Sequence, residues 1–270
     1  KTLDQYIHQY KFAGNYMDRR EAIDFAAKNT GNPRAVELLT TALQDPYAGL
    51  RNLAISKLNM GNETVRKATE PVLAKLATTD AKSTVRAAAI GKLAELKKAE
   101  YKDLFKAAVA DSSYSVSGNA LAGLLAVDPA AGAEQVKKLA DQTTRGVLAE
   151  VVMTELYKSG DENMAEKIIG GFSKMPLSQA KFEQLGSMST YLAALKNTEK
   201  VKWGVNEIVK FREAIPASFR NQTDPYINGM ILKGLLAAKQ KQAKENPGDT
   251  ALAALADYTK APLPDEDKKA

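Results

Sequence analysis

Apolar residues along this chain recur at spacings of three and four rather than two, and one arrangement of them is repeated. The stretch "DAKSTVRAAAIGKL" (80–93) has a similar string upstream, "DPYAGLRNLAISKL" (45–58), and another downstream, "DSSYSVSGNALAGL" (111–124). Aligned on Asp45, Asp80 and Asp111, the copies place Arg51, Arg86 and Ser117 six residues later. Leu50, Val85 and Val116 stand just before those positions. Ala54-Ile55, Ala89-Ile90 and Ala120-Leu121 follow, and Leu58, Leu93 and Leu124 close each copy. Offsets of 0, 4, 5 and 8 form one stripe on a helix of 3.6 residues per turn. A carboxylate at the start of each copy suits an N-cap, and alanine inside the stripe lets a neighbouring helix approach. "MDRREAIDFAA" (17–27) is an earlier copy with Arg19, Ala22-Ile23 and Ala26, and it lacks the acid because position 13 is Ala13. From Arg19 the steps to Arg51, Arg86 and Ser117 are 32, 35 and 31 residues.

Other helical stripes lie between the copies. "PRAVELLTTAL" (33–43) opens with Pro33, which fits a first helical turn. "VRKATEPVLAKLA" (65–77) carries Pro71 inside it, which predicts a kink or a late start. "YKDLFKAAVA" (101–110) completes the set. The unit is thus two antiparallel helices joined by a short turn. One hairpin cannot bury its apolar face alone, and stacking explains the repetition. The expected fold is all-α, an α-solenoid of stacked helix hairpins, with regular repeats over 1–140. Less regular hairpins are expected to continue the same solenoid over 141–260, with a disordered tail over 261–270.

In that second region helices are expected at 145–156, 161–172, 178–195, 198–215, 224–245 and 250–259. Asp161 and Thr198 read as caps. Asp224-Pro225 reads as a cap followed by the first helical residue. Val201, Val205, Ile208, Arg212 and Ile215 fall on one face. "GGFSK" (170–174) is no phosphate loop and reads as a helix C-terminus with a left-handed glycine.

Composition narrows the chemistry. The net charge is +6, but only nine of the 38 basic residues are Arg, and the lysines are scattered, so no nucleic-acid partner is expected. Lys233, Lys239, Lys241 and Lys244 lie toward a helix C-terminus, where cations are favoured. No apolar run reaches the ~18 residues of a membrane helix, so no membrane partner is expected and the chain reads as soluble. Cysteine is absent, which excludes disulfides and thiolate chemistry and suits either a cytoplasm or a bacterial envelope. His8 is the sole histidine and reads as surface or packing. Trp203 and Tyr226 read as core, and "NET" (62–64) and "NQT" (221–223) as chance glycosylation matches. No catalytic, metal or cofactor residue is assigned, and the chain, which begins at Lys1, reads as a fragment or processed form.

The pattern Asp-x4-Val-Arg-x2-Ala-Ile-x2-Leu, whole in residues 80–93, resembles the second helix of a HEAT repeat. That resemblance implies an internal ladder of Asp45, Arg51, Asp80 and Arg86, broken at Ser117. "YIHQYKFAGNYMDRREAIDFAAKN" and "KFREAIPASFRNQTDPYINGMI" are similar to the C-terminal helical region of bacterial gluzincin-family zinc aminopeptidases. The family's catalytic domain carries HExxH-x18-E and Gly-x-Met-Glu-Asn; neither occurs here, so none of its zinc ligands or catalytic residues carries over. The resemblance implies a non-catalytic domain that walls the active-site chamber, with its own upstream catalytic domain and a peptide substrate as partners. It also implies zinc in that parent domain only, and a periplasmic or otherwise extracytoplasmic setting. A stand-alone scaffold holding a protein or peptide on its concave face is the alternative. The residues facing the chamber are expected on the exposed flank of each second helix, for example Asn52, Lys57 and Lys92.

Overall fold

The computed structural model describes residues 1–269, and among them there is no strand. The chain forms two compact units, Lys1–Val152 and Met153–Ala270, with the division twelve residues beyond 140. In the first unit the helices are α1 Leu3–Phe12, α2 Tyr16–Lys28, α3 Pro33–Ala42, α4 Ala48–Lys57, α5 Glu63–Thr79, α6 Ser83–Glu95, α7 Lys102–Ala108, α8 Tyr114–Val127 and α9 Pro129–Leu139. Helix α10, Gly146–Ser159, crosses the division.

Within the first unit, neighbours in sequence pair as hairpins: α1 with α2, α3 with α4, α5 with α6, α7 with α8. Second helices then meet across hairpins, α2 with α4, α4 with α6, α6 with α8. The repeated stripe is the reason. Leu50, Ala54, Val85, Ala89, Ile90, Leu93, Ala120, Leu121 and Leu124 are all fully buried. Each large aliphatic side chain among them stabilises the fold by roughly 1.5–3 kcal/mol. Pro71 does not break α5, which runs unbroken from Glu63 to Thr79. Pro71 is exposed, so the carbonyl that loses its donor can meet water.

The acids of the repeat are not N-caps. Asp45, Asp80 and Asp111 each accept the backbone N–H two residues on, from Tyr47, Lys82 and Ser113, at 2.8 Å. They close a turn ahead of the helix. Their remaining acceptor capacity faces the preceding repeat. Arg19 donates to Asp45 at 2.7 and 2.9 Å, Arg51 to Asp80 at 2.7 and 2.9 Å, and Arg86 to Asp111 at 2.9 Å. The arginine also binds back, Arg51 to the Asp45 carbonyl at 2.8 Å and Arg86 to that of Asp80 at 2.9 Å. Arg51 and Arg86 therefore join the turn of their own hairpin to the acid of the next, and Arg19 holds only the acid ahead. The ladder ends at Ser117, whose hydroxyl donates to the Val109 carbonyl at 2.6 Å. There α8 meets α10 backbone to backbone, since a Cβ on Gly118 would lie 2.5 Å from the Leu148 nitrogen.

The second unit is less regular. The expected helix at 161–172 is a 3-10 turn (Glu162–Met164), a π turn (Glu166–Gly170) and α11, Gly171–Lys174. Gly170 and Gly171 are ordinary helical residues (φ −64° and −61°), not a left-handed stop. The left-handed glycines are Gly146 and Gly160 instead. The expected helix at 178–195 divides at Gln184 into α12, Gln179–Glu183, and α13, Leu185–Ala194. Helix α14, Thr198–Ala214, is capped by Asn197, not Thr198. Helix α15, Ala217–Asp224, continues through a π turn, Pro225–Leu232, into α16, Lys233–Glu245. Asp224-Pro225 thus lies inside a helical path, where the wide π turn accommodates a residue with no N–H. Helix α17, Thr250–Lys260, follows.

Several cations here bind carbonyls. The amine of Lys239, fully buried, donates to the Leu195 and Ala193 carbonyls at the end of α13 (2.5 and 3.1 Å) and to Gln242 (3.1 Å). It tethers another helix's C-terminus rather than complementing its own. Lys181 donates to the Met175 carbonyl, and Arg220 to those of Ile215 and Glu213. Arg212, on the α14 stripe, holds Asn228 and the Pro262 carbonyl. That last bond bears on the tail. Expected to be disordered, residues 261–269 instead bury Leu263 (2% exposed) and pair Asp267 with Lys233. One well-placed leucine and one guanidinium tie down a segment whose composition is polar. Ala270, the last residue of that expectation, lies outside the described residues.

Candidate functional site

Helices α4, α6 and α8 present their outer flanks side by side in the first unit, and a shallow groove of about 600 Å³ crosses all three. Its lining combines the apolar or small residues Ile55, Ala87, Ala88 and Gly91 with the polar Asn52, Thr84, Lys92 and Asn119. The repeat builds it. Asn52 and Ala87 stand one position past the ladder arginines, at the edge of the buried stripe. The α6 residues that line it are mostly small: Ala87, Ala88 and Gly91.

Two of the three expected contact residues come together here. Asn52 and Lys92 both line the groove. Asn52 donates to the Thr84 hydroxyl at 3.2 Å, while its Oδ1 is buried without a hydrogen-bond partner. Lys92 pairs with Glu95 one turn on at 3.0 Å, so its charge is locally matched. Lys57 does not join them: it forms an ion pair with Asp24 of α2 at 2.7 Å, outside the groove. Thr84, Gly91 and Asn119 escaped the sequence reading. The signal was present for Gly91, a glycine in mid-helix that no turn requires. Asn119 donates to the Ser115 carbonyl at 2.9 Å.

The ladder beneath is electrostatically matched. Burial pushes the Asp80 carboxyl up, but hydrogen bonds from Arg51 and the Lys82 amide outweigh it and hold it below the ordinary carboxylate range. Burial, then the hydrogen bond it donates to Asp45 at 2.7 Å, pushes the Tyr10 phenol well up. These groups are spent on structure. His8 is exposed and stacks on Phe12, with ring centroids 4.5 Å apart. Among the described residues no group of three or more His, Cys, Asp or Glu side chains is placed to hold a metal ion. None of the helices described is long and apolar enough to cross a membrane.

No protein-family model matches the chain, and neither does any curated protein.

Proposed function

We propose that this chain is a non-catalytic, HEAT-like helical domain of a zinc aminopeptidase, walling the chamber in which the catalytic domain works and limiting which peptides enter. The supporting observation is the pair of stretches resembling the helical region of those enzymes, residues 6–29 and 210–231, which now fall on α1–α2 and on α14 through the π turn. Stacked hairpins suit that role. They give a long, stiff face whose supporting contacts are mostly local. In this reading the zinc and the groups that activate water belong to the upstream domain, and the partners of this chain are that domain and a peptide.

The test is the native polypeptide upstream of Lys1. An HExxH motif followed by a glutamate about 18 residues later supports the reading, and peptidase assays with and without residues 1–270 then measure the wall's effect on substrate length. A methionine or short leader directly before Lys1 sinks it. The second reading, a stand-alone scaffold for a peptide or protein, is favoured by the groove over α4, α6 and α8, which needs no second domain to be complete.

A further inference from the structure

We propose that residues 261–269 are a detachable strap, and that the seat they occupy on the second unit takes a partner segment of the strap's own chemistry: a leucine with an acid four residues later. The strap and its seat lie wholly within the second unit and are independent of the peptidase reading. The seat is defined by what it already holds. Arg212 on α14 donates to the Pro262 carbonyl at 2.9 Å, and to Asn228 Oδ1 of the π turn at 2.7 Å. Leu263, the next residue, is 2% exposed. Lys233, at the start of α16, pairs with Asp267 at 3.0 Å. The fixed part of the unit thus reads three features in order: a main-chain acceptor, a leucine and a carboxylate. Cations on the seat face a segment that carries Asp265, Glu266 and Asp267 in a row, so charge selects an acidic occupant.

Little else holds the strap down. Among residues 261–268 only Leu263 is buried. Other hydrogen bonds of the segment close on itself or on the end of α17. The Leu263 N–H donates to the Lys260 carbonyl, and the Asp267 and Lys268 N–H groups both donate to that of Pro264. Lys268 pairs with Asp265, also on the strap. These turns survive when the strap lifts, so opening breaks one guanidinium bond, one ion pair and the burial of one leucine. Nor is the strap packed flush. A hollow of about 600 Å³ is lined jointly by its Pro264, Glu266 and Asp267 and by Arg220, Asp224 and Asn228. A chain end with one buried residue belongs at the low end of local stability. The tether keeps the strap at an effective concentration on the order of millimolar, so a free segment competes weakly until the strap's own leucine is removed.

The experiment uses the 270-residue chain and a dye-labelled, acetylated peptide of residues 261–270, APLPDEDKKA, followed by fluorescence anisotropy. A chain carrying Leu263→Asp, whose own strap no longer seats, should bind the peptide saturably and at least tenfold more tightly than the wild type. A peptide that itself carries Leu263→Asp should bind that chain at least tenfold more weakly, and one carrying Asp267→Lys severalfold more weakly. Equal binding by the two chains overturns the proposal. So does equal binding of a scrambled peptide, which would leave only charge, or loss of cooperative unfolding in the Leu263→Asp chain, which would make Leu263 a core residue. A milder variant reads opening directly. The chain has no cysteine, so Leu263→Cys supplies a single thiol. Under native conditions it should react with a disulfide reagent at least a hundredfold faster than Ile208→Cys, whose position on α14 is fully buried. Equal rates mean that the strap opens only when the unit unfolds, and overturn the proposal.

Discussion

The two units solve one problem in different ways. Each must fasten the turns of its helices to neighbouring helices. In the first unit the fasteners are ion pairs: Arg19, Arg51 and Arg86 reach Asp45, Asp80 and Asp111. In the second, beside ion pairs such as Lys233 with Asp267, the characteristic fasteners are cations on backbone carbonyls: Lys239 on Ala193 and Leu195, Arg212 on Pro262, Lys181 on Met175. A carboxylate is a particular residue at a particular position. A carbonyl belongs to every residue. The first device therefore writes itself into the sequence at a fixed interval, and the second leaves only a cation with no visible partner.

Breaking the shared element comes first. Ala89 is fully buried on α6, so Ala89→Asp should cost upward of ~3 kcal/mol in urea unfolding. A loss under ~0.5 kcal/mol would mean the stripe faces elsewhere. The fasteners come next. Arg51→Met strands the Asp80 carboxylate, only 4% exposed, and should cost about 3 kcal/mol. Adding Asp80→Asn should return part of that loss, because the stranded charge is gone while the turn to Lys82 is kept. Lys239→Met should cost about 2 kcal/mol by leaving carbonyl groups without their donor. No second substitution can rescue it through the partner, since the partner is main chain. If a rescue at Asp80 fails, the two devices are not different in the way described.

Protonation separates them further. The folded Asp80 carboxyl sits below its unfolded value, so its contribution is present above ~4 and is lost as pH falls through the lower folded value. The stability gap between the wild type and Asp80→Asn should close in acid. Burial pushes Lys239 down to about 8, so the folded state sheds that proton before the unfolded state does. The wild type should therefore gain on Lys239→Met as pH rises from about 8 toward the unfolded value near ~10.4. Denaturant midpoints across pH 3–10.5 measure both. The smallest effect lies at Lys97, the one non-glycine residue among those described with a left-handed backbone (φ 50°), just past α6. Lys97→Gly should stabilise by about 0.5–1 kcal/mol in the same assay.

The all-α fold was legible because buried stripes leave a 3.6-residue rhythm that turns do not erase. The ladder was legible from Arg51 and Arg86, though not its connectivity: spacing alone cannot say that an arginine takes the acid of the next hairpin. Asp45 and Asp80 were misread as caps because a cap and a turn closed by the same carboxylate differ by a residue or two. At Pro225 and Gly170 the second unit departs from expectation because π turns hide proline and glycine signals inside a helix. The tail was misjudged because one buried residue, Leu263, outweighs a polar composition. Asn52 and Lys92, named from the sequence, are two of the residues that line the groove. Asn119 was not legible, since it sits two positions past Ser117 where Asn52 sits one past Arg51, and only the packing of α6 with α8 aligns them.

The ladder also makes the first unit editable. Because Arg51 and Arg86 each grip their own turn behind and the next acid ahead, the chain can be cut before one of them and rejoined before the other with both grips kept. Removing residues 51–85 sets Arg86 six positions after Asp45, where Arg51 had been. The shortened protein then has one hairpin fewer, a rail running Arg19–Asp45 and Arg86–Asp111, and no new joint to invent. Lengthening by duplication of the same segment follows the same rule, so the number of hairpins is a quantity this architecture can change without redesign.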